Sequence, residues 1–141
     1  MPYNSKKSVL FICKNNSGRS QMAEGILKSV YGDKYNVYSA GSDPKGVNPL
    51  TIKIMAEIGI DISNQSSTDV KEYQNREFDY VVTLCEEGIC PVFLNGKKYI
   101  NYEFKDPATY YEDMEKIDVF RIIRDEIKDW IKNSLINDIN K

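Results

Sequence analysis

Apolar positions divide the chain into short continuous runs and longer segments with helical spacing. The first run extends from Val9 to Cys13 and consists of five consecutive apolar residues. Its length and its β-branched and aromatic content are typical of a strand buried on both faces of a parallel sheet. Three further strands are predicted at Asn36–Ala40, Phe78–Cys85 and Tyr99–Phe104, the last because its apolar and polar residues alternate.

Between the strands, apolar residues recur every three or four positions, which predicts amphipathic helices. One helix starts near Ser20 and ends at Gly32. Asn48 and Pro49 are typical of a helix N-cap and first helical position, and this helix ends at Gly59. A short helix is predicted from Thr68 to Tyr73, and a long one from Asp113 onward has an apolar stripe of Ile117, Phe120, Ile123, Ile127, Trp130, Ile131 and Leu135.

This alternation of strands and helices predicts an α/β fold in which a four-stranded parallel sheet has helices on both faces. We expect one domain over residues 1–141, because this length supports its own core and no repeat or linker interrupts the pattern. Ligands of such sheets bind at the carboxyl ends of the strands. Cys13 and Cys85 are both predicted to lie at such ends, on the same rim of the sheet.

Composition and charge exclude several classes of function. The chain has 41% hydrophobic and 28% charged residues with a net charge of −2, which argues against nucleic acid or an anionic membrane as the main partner. No apolar run has the length of a signal peptide core or a membrane span, so we expect a cytoplasmic protein. The absence of histidine excludes Cys–His and Ser–His nucleophile pairs and most catalytic zinc sites.

The polar loop after the first strand contains the first candidate chemistry. A strand, a tight loop and a helix start form an anion pocket, because backbone N–H groups converge there and the helix dipole adds positive charge. These surroundings favour the thiolate of Cys13, which is the nucleophilic form of cysteine. Arg19 has a planar guanidinium suited to a tetrahedral oxyanion. The candidate oxyanion-binding residues, which we call the oxyanion loop, are Lys14, Asn15, Asn16, Ser17, Gly18 and Arg19.

A structural interpretation of the same residues is a buried cysteine followed by an ordinary surface arginine. The preceding strand, Ser20 and the following helix favour the functional interpretation.

The other two cysteines, Cys85 and Cys90, flank a polar segment that contains Glu86, Glu87 and Gly88. A turn or flexible loop would bring their sulfur atoms within disulfide reach, although spacing alone does not establish the geometry. The alternative is two small core residues, a common role of free cysteine. Zinc is a poorer alternative, because three cysteines without histidine leave a fourth ligand missing.

A candidate general acid is Asp106, which precedes Pro107 in the segment after the fourth predicted strand. A carboxyl group beside the pocket would protonate a leaving hydroxide or phenolate. The alternative is a structural turn, because Asp-Pro is a common turn dipeptide.

The segment Cys13-Lys-Asn-Asn-Ser-Gly-Arg19-Ser20 resembles the Cys-x5-Arg-Ser phosphate loop of the low-molecular-weight protein tyrosine phosphatases. It is more similar to that of their redox relatives, the thioredoxin-coupled arsenate reductases. The resemblance covers most of the chain, with further matches at Ser20–Gly25, Asn36–Gly41, Gly46–Pro49, Ile60–Asn64, Val81–Cys85 and Asp106–Ala108.

This resemblance implies a role for each residue of the loop. The thiolate of Cys13 would attack arsenate that the loop amides and Arg19 hold, and Asp106 would act as the acid. Ser20 would hydrogen-bond the thiolate, and Asn16 would hold the shape of the loop.

The resemblance also implies a disulfide cascade. Cys85 would attack Cys13 with release of arsenite, and Cys90 would then attack Cys85. Thioredoxin or a similar dithiol protein would reduce the resulting Cys85–Cys90 disulfide. We expect a monomer without a cofactor, with phosphate and sulfate as competing anions.

Some relatives bind potassium near the loop, and the resemblance implies a site formed by Asn16, Glu24, Ser39 and Ser66. The acidic ligand expected near Thr68 is displaced here to Asp69. Two further departures concern cysteines: Gly18 replaces a second loop cysteine that is frequent in the family, and Cys85 and Cys90 are closer together than in the type member.

Two other functions remain open from the sequence. In a phosphatase, Cys13, Arg19 and Asp106 would act while Cys85 and Cys90 would have no chemical role. Tyr110 and Tyr111 would then line a phosphotyrosine cleft. In a catalytically silent module, the same loop would only bind an oxyanion or a partner.

Overall fold

Four parallel strands form a single sheet in the order β2-β1-β3-β4. The computed structural model describes residues 6–85, 93, 95–104 and 114–140. In this part of the chain the strands are β1 (Lys7–Cys13), β2 (Tyr35–Gly41), β3 (Phe78–Thr83) and β4 (Gly96–Asn101). Every neighbouring pair is parallel, as the sequence pattern predicts.

Helices connect the strands and follow the predicted order. They are α1 (Arg19–Tyr31), α2 (Pro49–Ala56), a 3-10 helix (Val70–Tyr73) and α3 (Lys116–Trp130), which continues through a π-helical turn (Ile131–Leu135) into α4 (Ile136–Ile139). The start of α2 confirms the predicted cap, because the side chain of Asn48 accepts a hydrogen bond from the Leu50 N–H at 2.9 Å. Among the described helices, none combines the length and apolar character needed to cross a bilayer.

The central strand β1 is buried on both faces, which explains its continuous apolar run. Val9 and Phe11 lie in the larger core cluster together with residues of α1, α2 and α3. Leu10 and Ile12 lie in a smaller cluster on the other face, which the 3-10 helix covers through Val70. The side chains of these four residues are fully buried. The predicted fold class, a parallel sheet with helical segments on both faces, is therefore confirmed.

The predicted bounds of the fourth strand were wrong at both ends. The alternation of apolar residues placed it at Tyr99–Phe104, whereas β4 is Gly96–Asn101 and begins opposite Phe78 of β3. Lys97 and Lys98 occupy its first half, and lysine is frequent on edge strands because it discourages pairing with other chains. Apolar periodicity does not detect such a strand.

The long C-terminal helix buries the predicted stripe against the sheet. Phe120, Ile123, Ile127 and Trp130 are all buried, and the stripe continues through the π-helical turn to Leu135. The helix begins at Lys116 with Glu115 as its N-cap, and Met114 and Glu115 are not helical, so the predicted start was too early. Asp113 itself lies outside the described residues.

A small ionic network joins the end of α2 to α3. The carboxylate of Glu57 accepts hydrogen bonds from Arg121 at 2.6 Å and from Arg124 at 2.8 Å. Arg124 also donates to the carbonyl oxygen of Ile54 at 2.9 Å. These bonds, first that from Arg121, lower the pKa of Glu57 from its ordinary value of 4.5 to about 2.

We predict that Glu57→Gln reduces the acid sensitivity of the fold. Between pH 4.5 and about 2 the unfolded chain binds a proton at Glu57 that the native protein does not. The stability from this carboxylate is therefore present at neutral pH and is lost as the pH falls through that range. Urea unfolding at pH 7, 4 and 3 should show a smaller acid-induced loss of stability in the variant.

The exposed Glu126 on α3 provides the matched control. Glu126→Gln should retain the pH dependence of the parent protein, and equal pH profiles for the two variants would contradict the role of Glu57.

Candidate active site

Cys13 is the last residue of β1, and the oxyanion loop connects it to the start of α1. Its side chain is only 2% exposed, and it is a free thiol. The Cys13 Sγ lies 2.9 Å from the hydroxyl oxygen of Ser20, in the first turn of α1. A hydroxyl at this distance can donate a hydrogen bond to the cysteine sulfur.

The carbonyl groups of the oxyanion loop are hydrogen-bonded on the outer side of the loop. Since the described peptide bonds are trans, the N–H after each carbonyl points to the opposite side. The N–H groups of Asn15, Asn16 and Gly18 therefore point away from these partners, toward the opposite side of the loop. An anion on that side can accept hydrogen bonds from them. The bonds run from the N–H groups of Asp43, Lys45 and Asn48 to the carbonyl oxygens of Lys14, Asn15 and Ser17, at 2.9, 3.1 and 3.0 Å.

Asn16 connects the loop to its surroundings. Among the described residues it is the one non-glycine with a positive φ (48°), a conformation that asparagine tolerates. Its fully buried side chain donates to the hydroxyl oxygens of Ser20 at 2.7 Å and Ser39 at 2.9 Å, and it accepts from the Thr68 N–H at 2.8 Å. One amide thus joins the loop to α1, to β2 and to the segment before the 3-10 helix.

Gly41 is a site residue that sequence reasoning missed. It pairs with Cys13 at the end of β2. A Cβ atom there would lie 2.5 Å from the Lys14 carbonyl oxygen and 2.9 Å from the Asn16 nitrogen. Only glycine therefore permits this close approach of the loop to β2. The available signal in the sequence was a glycine directly after the predicted strand Asn36–Ala40.

Arg19 begins α1 and is held by a backbone group from a distant part of the chain. Arg19 is 8% exposed, and its guanidinium donates from Nη1 to the carbonyl oxygen of Phe104 at 2.8 Å. The Phe104 N–H in turn donates to the carbonyl oxygen of Leu84, just after β3, at 3.0 Å. The Phe104 carbonyl group, which the sequence did not indicate, therefore fixes the arginine at the loop.

Cys85 lies two residues after the end of β3, the strand that pairs with β1. The Leu84 N–H donates to the carbonyl oxygen of Ile12 at 2.9 Å, so the residues just before Cys85 and Cys13 are joined directly. Cys85 is 2% exposed and disulfide-bonded. Cys13 and Cys85 thus lie at adjacent strand ends on one rim.

Several predicted site residues lie outside the described residues. They are Cys90, Asp106, Tyr110 and Tyr111.

The residues expected to bind potassium do lie near one another, but a lysine already balances their charge. The Glu24 carboxylate accepts from the Ser39 hydroxyl at 2.5 Å and pairs with the Lys28 ammonium at 2.5 Å. The carbonyl oxygen of Ser66 accepts from Gln21. Asp69 instead caps the 3-10 helix, where it accepts from the Lys71 N–H. The described residues contain no group of three or more acidic, cysteine or histidine side chains suited to a metal ion. Because the Lys28 ammonium pairs with Glu24, the one carboxylate of the expected potassium set, that set has no unpaired negative charge for the ion.

The chain is similar over most of its length to proteins of known sequence. A protein named arsenate reductase from Halalkalibacterium halodurans is 47% identical over 131 residues, which cover 91% of this chain and 94% of the relative.

Solved structures share the same architecture. An arsenate reductase in the phosphate binding state matches with a TM-score of 0.80 and 36% identity, over 94% of this chain and 98% of that chain. A thioredoxin-dependent arsenate reductase from Corynebacterium glutamicum matches with a TM-score of 0.69 and 28% identity, over 96% of this chain and 65% of that chain.

The family model also covers both the loop and the C-terminal helices. The model described as low molecular weight phosphotyrosine protein phosphatase matches residues 8–141, which include every strand and helix of the described fold except the first residue of β1. Together with the Cys13–Ser20 contact and the buried Arg19, this match assigns the chain: it belongs to the low molecular weight phosphotyrosine protein phosphatase family.

Proposed function

We propose that this protein is an arsenate reductase that passes the resulting oxidation to thioredoxin or a similar dithiol protein. The observation that carries the proposal is the position of Cys85. It follows Leu84, which is hydrogen-bonded to the residue before Cys13, and it is disulfide-bonded while Cys13 is a free thiol. A phosphatase needs only the thiol in the loop, whereas a reductase needs further thiols beside it.

The first step is the attack of the Cys13 thiolate on arsenic. A sulfur–arsenic bond forms, an arsenic–oxygen bond breaks, and the oxygen leaves as water after Asp106 supplies a proton. The loop N–H groups and Arg19 neutralise the oxyanion, and Ser20 holds the thiolate through its 2.9 Å contact. Arsenic remains in the +5 state in this covalent intermediate.

The second step transfers two electrons to arsenic, and the third moves the disulfide away from Cys13. The Cys85 thiolate attacks the Cys13 sulfur, so that a Cys13–Cys85 disulfide forms. The sulfur–arsenic bond then breaks with its electron pair on arsenic, which leaves as arsenite. The Cys90 thiolate next attacks Cys85, which returns Cys13 as a thiolate and leaves a Cys85–Cys90 disulfide for the dithiol partner to reduce.

The names of the relatives support this choice within the family. The relative from Halalkalibacterium halodurans is named arsenate reductase, and the structural neighbour from Corynebacterium glutamicum is described as thioredoxin-dependent. We expect phosphate and sulfate to compete with arsenate, because they share its tetrahedral shape and negative charge. We propose no step that needs potassium, since Lys28 already neutralises Glu24.

Phosphatase activity remains the alternative for the same loop. The family description names a phosphotyrosine phosphatase, and the Cys13 thiolate would attack phosphorus as it attacks arsenic. The loop, Arg19 and Asp106 are common to both reactions, so Cys85 and Cys90 discriminate between them. A reductase is expected to retain weak hydrolysis of phosphate esters.

We predict that Cys85→Ser and Cys90→Ser each abolish steady-state reduction of arsenate, because each removes one step of thiol exchange. Both variants should retain hydrolysis of p-nitrophenyl phosphate within about threefold, since the loop is unchanged. Cys13→Ser should abolish both activities. The assays are NADPH oxidation with thioredoxin, thioredoxin reductase and arsenate, and release of p-nitrophenol.

Two results would contradict this assignment. One is a Cys90→Ser variant that loses hydrolysis as completely as reduction, and the other is a Cys85→Ser variant that still produces arsenite at the parent rate.

We also predict that Ser20→Ala slows alkylation of Cys13 by iodoacetamide about tenfold at pH 6. A hydrogen bond to a charged group contributes about 1.5–3 kcal/mol, and its loss disfavours the reactive thiolate. The reaction is followed by mass spectrometry of the Cys13 peptide.

Ser29→Ala is the matched control, because Ser29 is an exposed serine on the same helix. If both serine variants react at the parent rate, Ser20 does not stabilise the thiolate.

A further inference from the structure

One hydrogen-bond partner of Arg19 is the carbonyl group of Phe104, so the position of the arginine depends in part on what holds Phe104. The Phe104 side chain is buried at 4% exposure and contacts two other rings. Its ring centroid lies 4.8 Å from that of Tyr102 and 5.3 Å from that of Trp130, the latter in an edge-to-face arrangement. Tyr102 and Trp130 are also in contact, with centroids 5.0 Å apart. We call these three rings the aromatic cluster.

The aromatic cluster and the sheet hold Phe104 from two sides. Its N–H is bonded to the Leu84 carbonyl oxygen at 3.0 Å, and its ring packs on Trp130, the last residue of α3. The carbonyl oxygen that receives Arg19 belongs to this same residue. Loss of the Trp130 ring would leave a large void beside Phe104, and neighbouring side chains shift to fill such voids.

We propose that Trp130 is a positioning residue for Arg19, acting through the ring and carbonyl group of Phe104. The proposal rests on the proposed function only in that Arg19 binds the oxyanion. A guanidinium recognises a tetrahedral oxyanion through two parallel hydrogen bonds, so a small displacement costs affinity. Trp130 therefore tunes oxyanion affinity although it lies in the core rather than in the loop.

The rest of the site is held independently of the aromatic cluster. Cys13 contacts Ser20, and Asn16 connects the loop to Ser39 and Thr68. A change at Trp130 should therefore weaken oxyanion binding without changing the reactivity of Cys13 toward a neutral reagent. General destabilisation of the fold would not separate these two properties.

Trp130 also provides a direct readout, because it is the only tryptophan among the 141 residues. Its fluorescence reports the packing of the aromatic cluster, without contribution from another indole. We expect a saturable change in this fluorescence when inorganic phosphate binds the reduced protein. We expect no such change in Arg19→Lys, because lysine lacks the planar fork that contacts both the anion and Phe104.

The decisive experiment measures phosphate affinity by calorimetry in Trp130→Ala, Trp130→Phe, Arg19→Lys and the double variant of Trp130→Ala with Arg19→Lys. We expect Trp130→Ala to weaken binding about tenfold and Trp130→Phe to restore it to within about threefold. In the Arg19→Lys background, Trp130→Ala should weaken binding by less than about twofold, because the interaction it supports is absent. Cys13 alkylation by iodoacetamide should keep the parent rate in Trp130→Ala.

Val119→Ala provides a matched core control. Val119 is buried on α3 about 16 Å along the helix from Trp130. This variant should lose stability while it retains parent phosphate affinity.

These outcomes distinguish a failure of the positioning role of Trp130 from a failure of the proposed function. Unchanged phosphate affinity in Trp130→Ala, or an equal loss in the presence and absence of Arg19, would overturn the positioning role. Parent affinity in Arg19→Lys would instead overturn the binding role of Arg19, and with it the proposed function. If Trp130→Ala does not fold, a phosphate-induced fluorescence change that persists in Arg19→Lys overturns the proposal.

Discussion

The buried amide of Asn16 is the constraint on which the rest of the site depends. It occupies a left-handed backbone conformation and satisfies partners on α1, on β2 and before the 3-10 helix. An apolar side chain there would remove the hydrogen bond of the Thr68 N–H and one hydrogen bond each from the Ser20 and Ser39 hydroxyls, and loss of a buried partner is costly. While the amide holds the loop, the carbonyl groups of Lys14, Asn15 and Ser17 accept hydrogen bonds from segment 43–48, and the N–H groups that follow them point to the opposite side of the loop.

This fixed loop is supported from two directions. On the β2 side, Gly41 allows the backbone of the loop to approach within a distance that no other residue permits. On the α3 side, Trp130 packs on Phe104, whose carbonyl oxygen receives Arg19. The chemistry at Cys13 therefore depends on contacts from distant elements. A loop held rigidly in this way stabilises added negative charge without rearrangement.

The local parts of this arrangement were predictable from the sequence, and the long-range parts were not. The continuous apolar run of β1 predicted a buried parallel strand, and the spacing from Cys13 to Ser20 predicted the loop and the helix start. The role of Phe104 was not predictable, since it lies 85 positions from Arg19 and acts through a backbone oxygen. The bounds of β4 were wrong because Lys97 and Lys98 belong to an edge strand. The pairing of Glu24 with Lys28, in contrast, is a local contact between residues four positions apart on α1.

The most direct test of the central claim is a single turnover of the fully reduced protein with one equivalent of arsenate and no thioredoxin. We expect one arsenite to be released per chain and two of the three free thiols to be lost, with the new disulfide located by mass spectrometry. Arsenate recovered unchanged with all three thiols still free would contradict this expectation, because the loop would then bind or hydrolyse an oxyanion without reducing it.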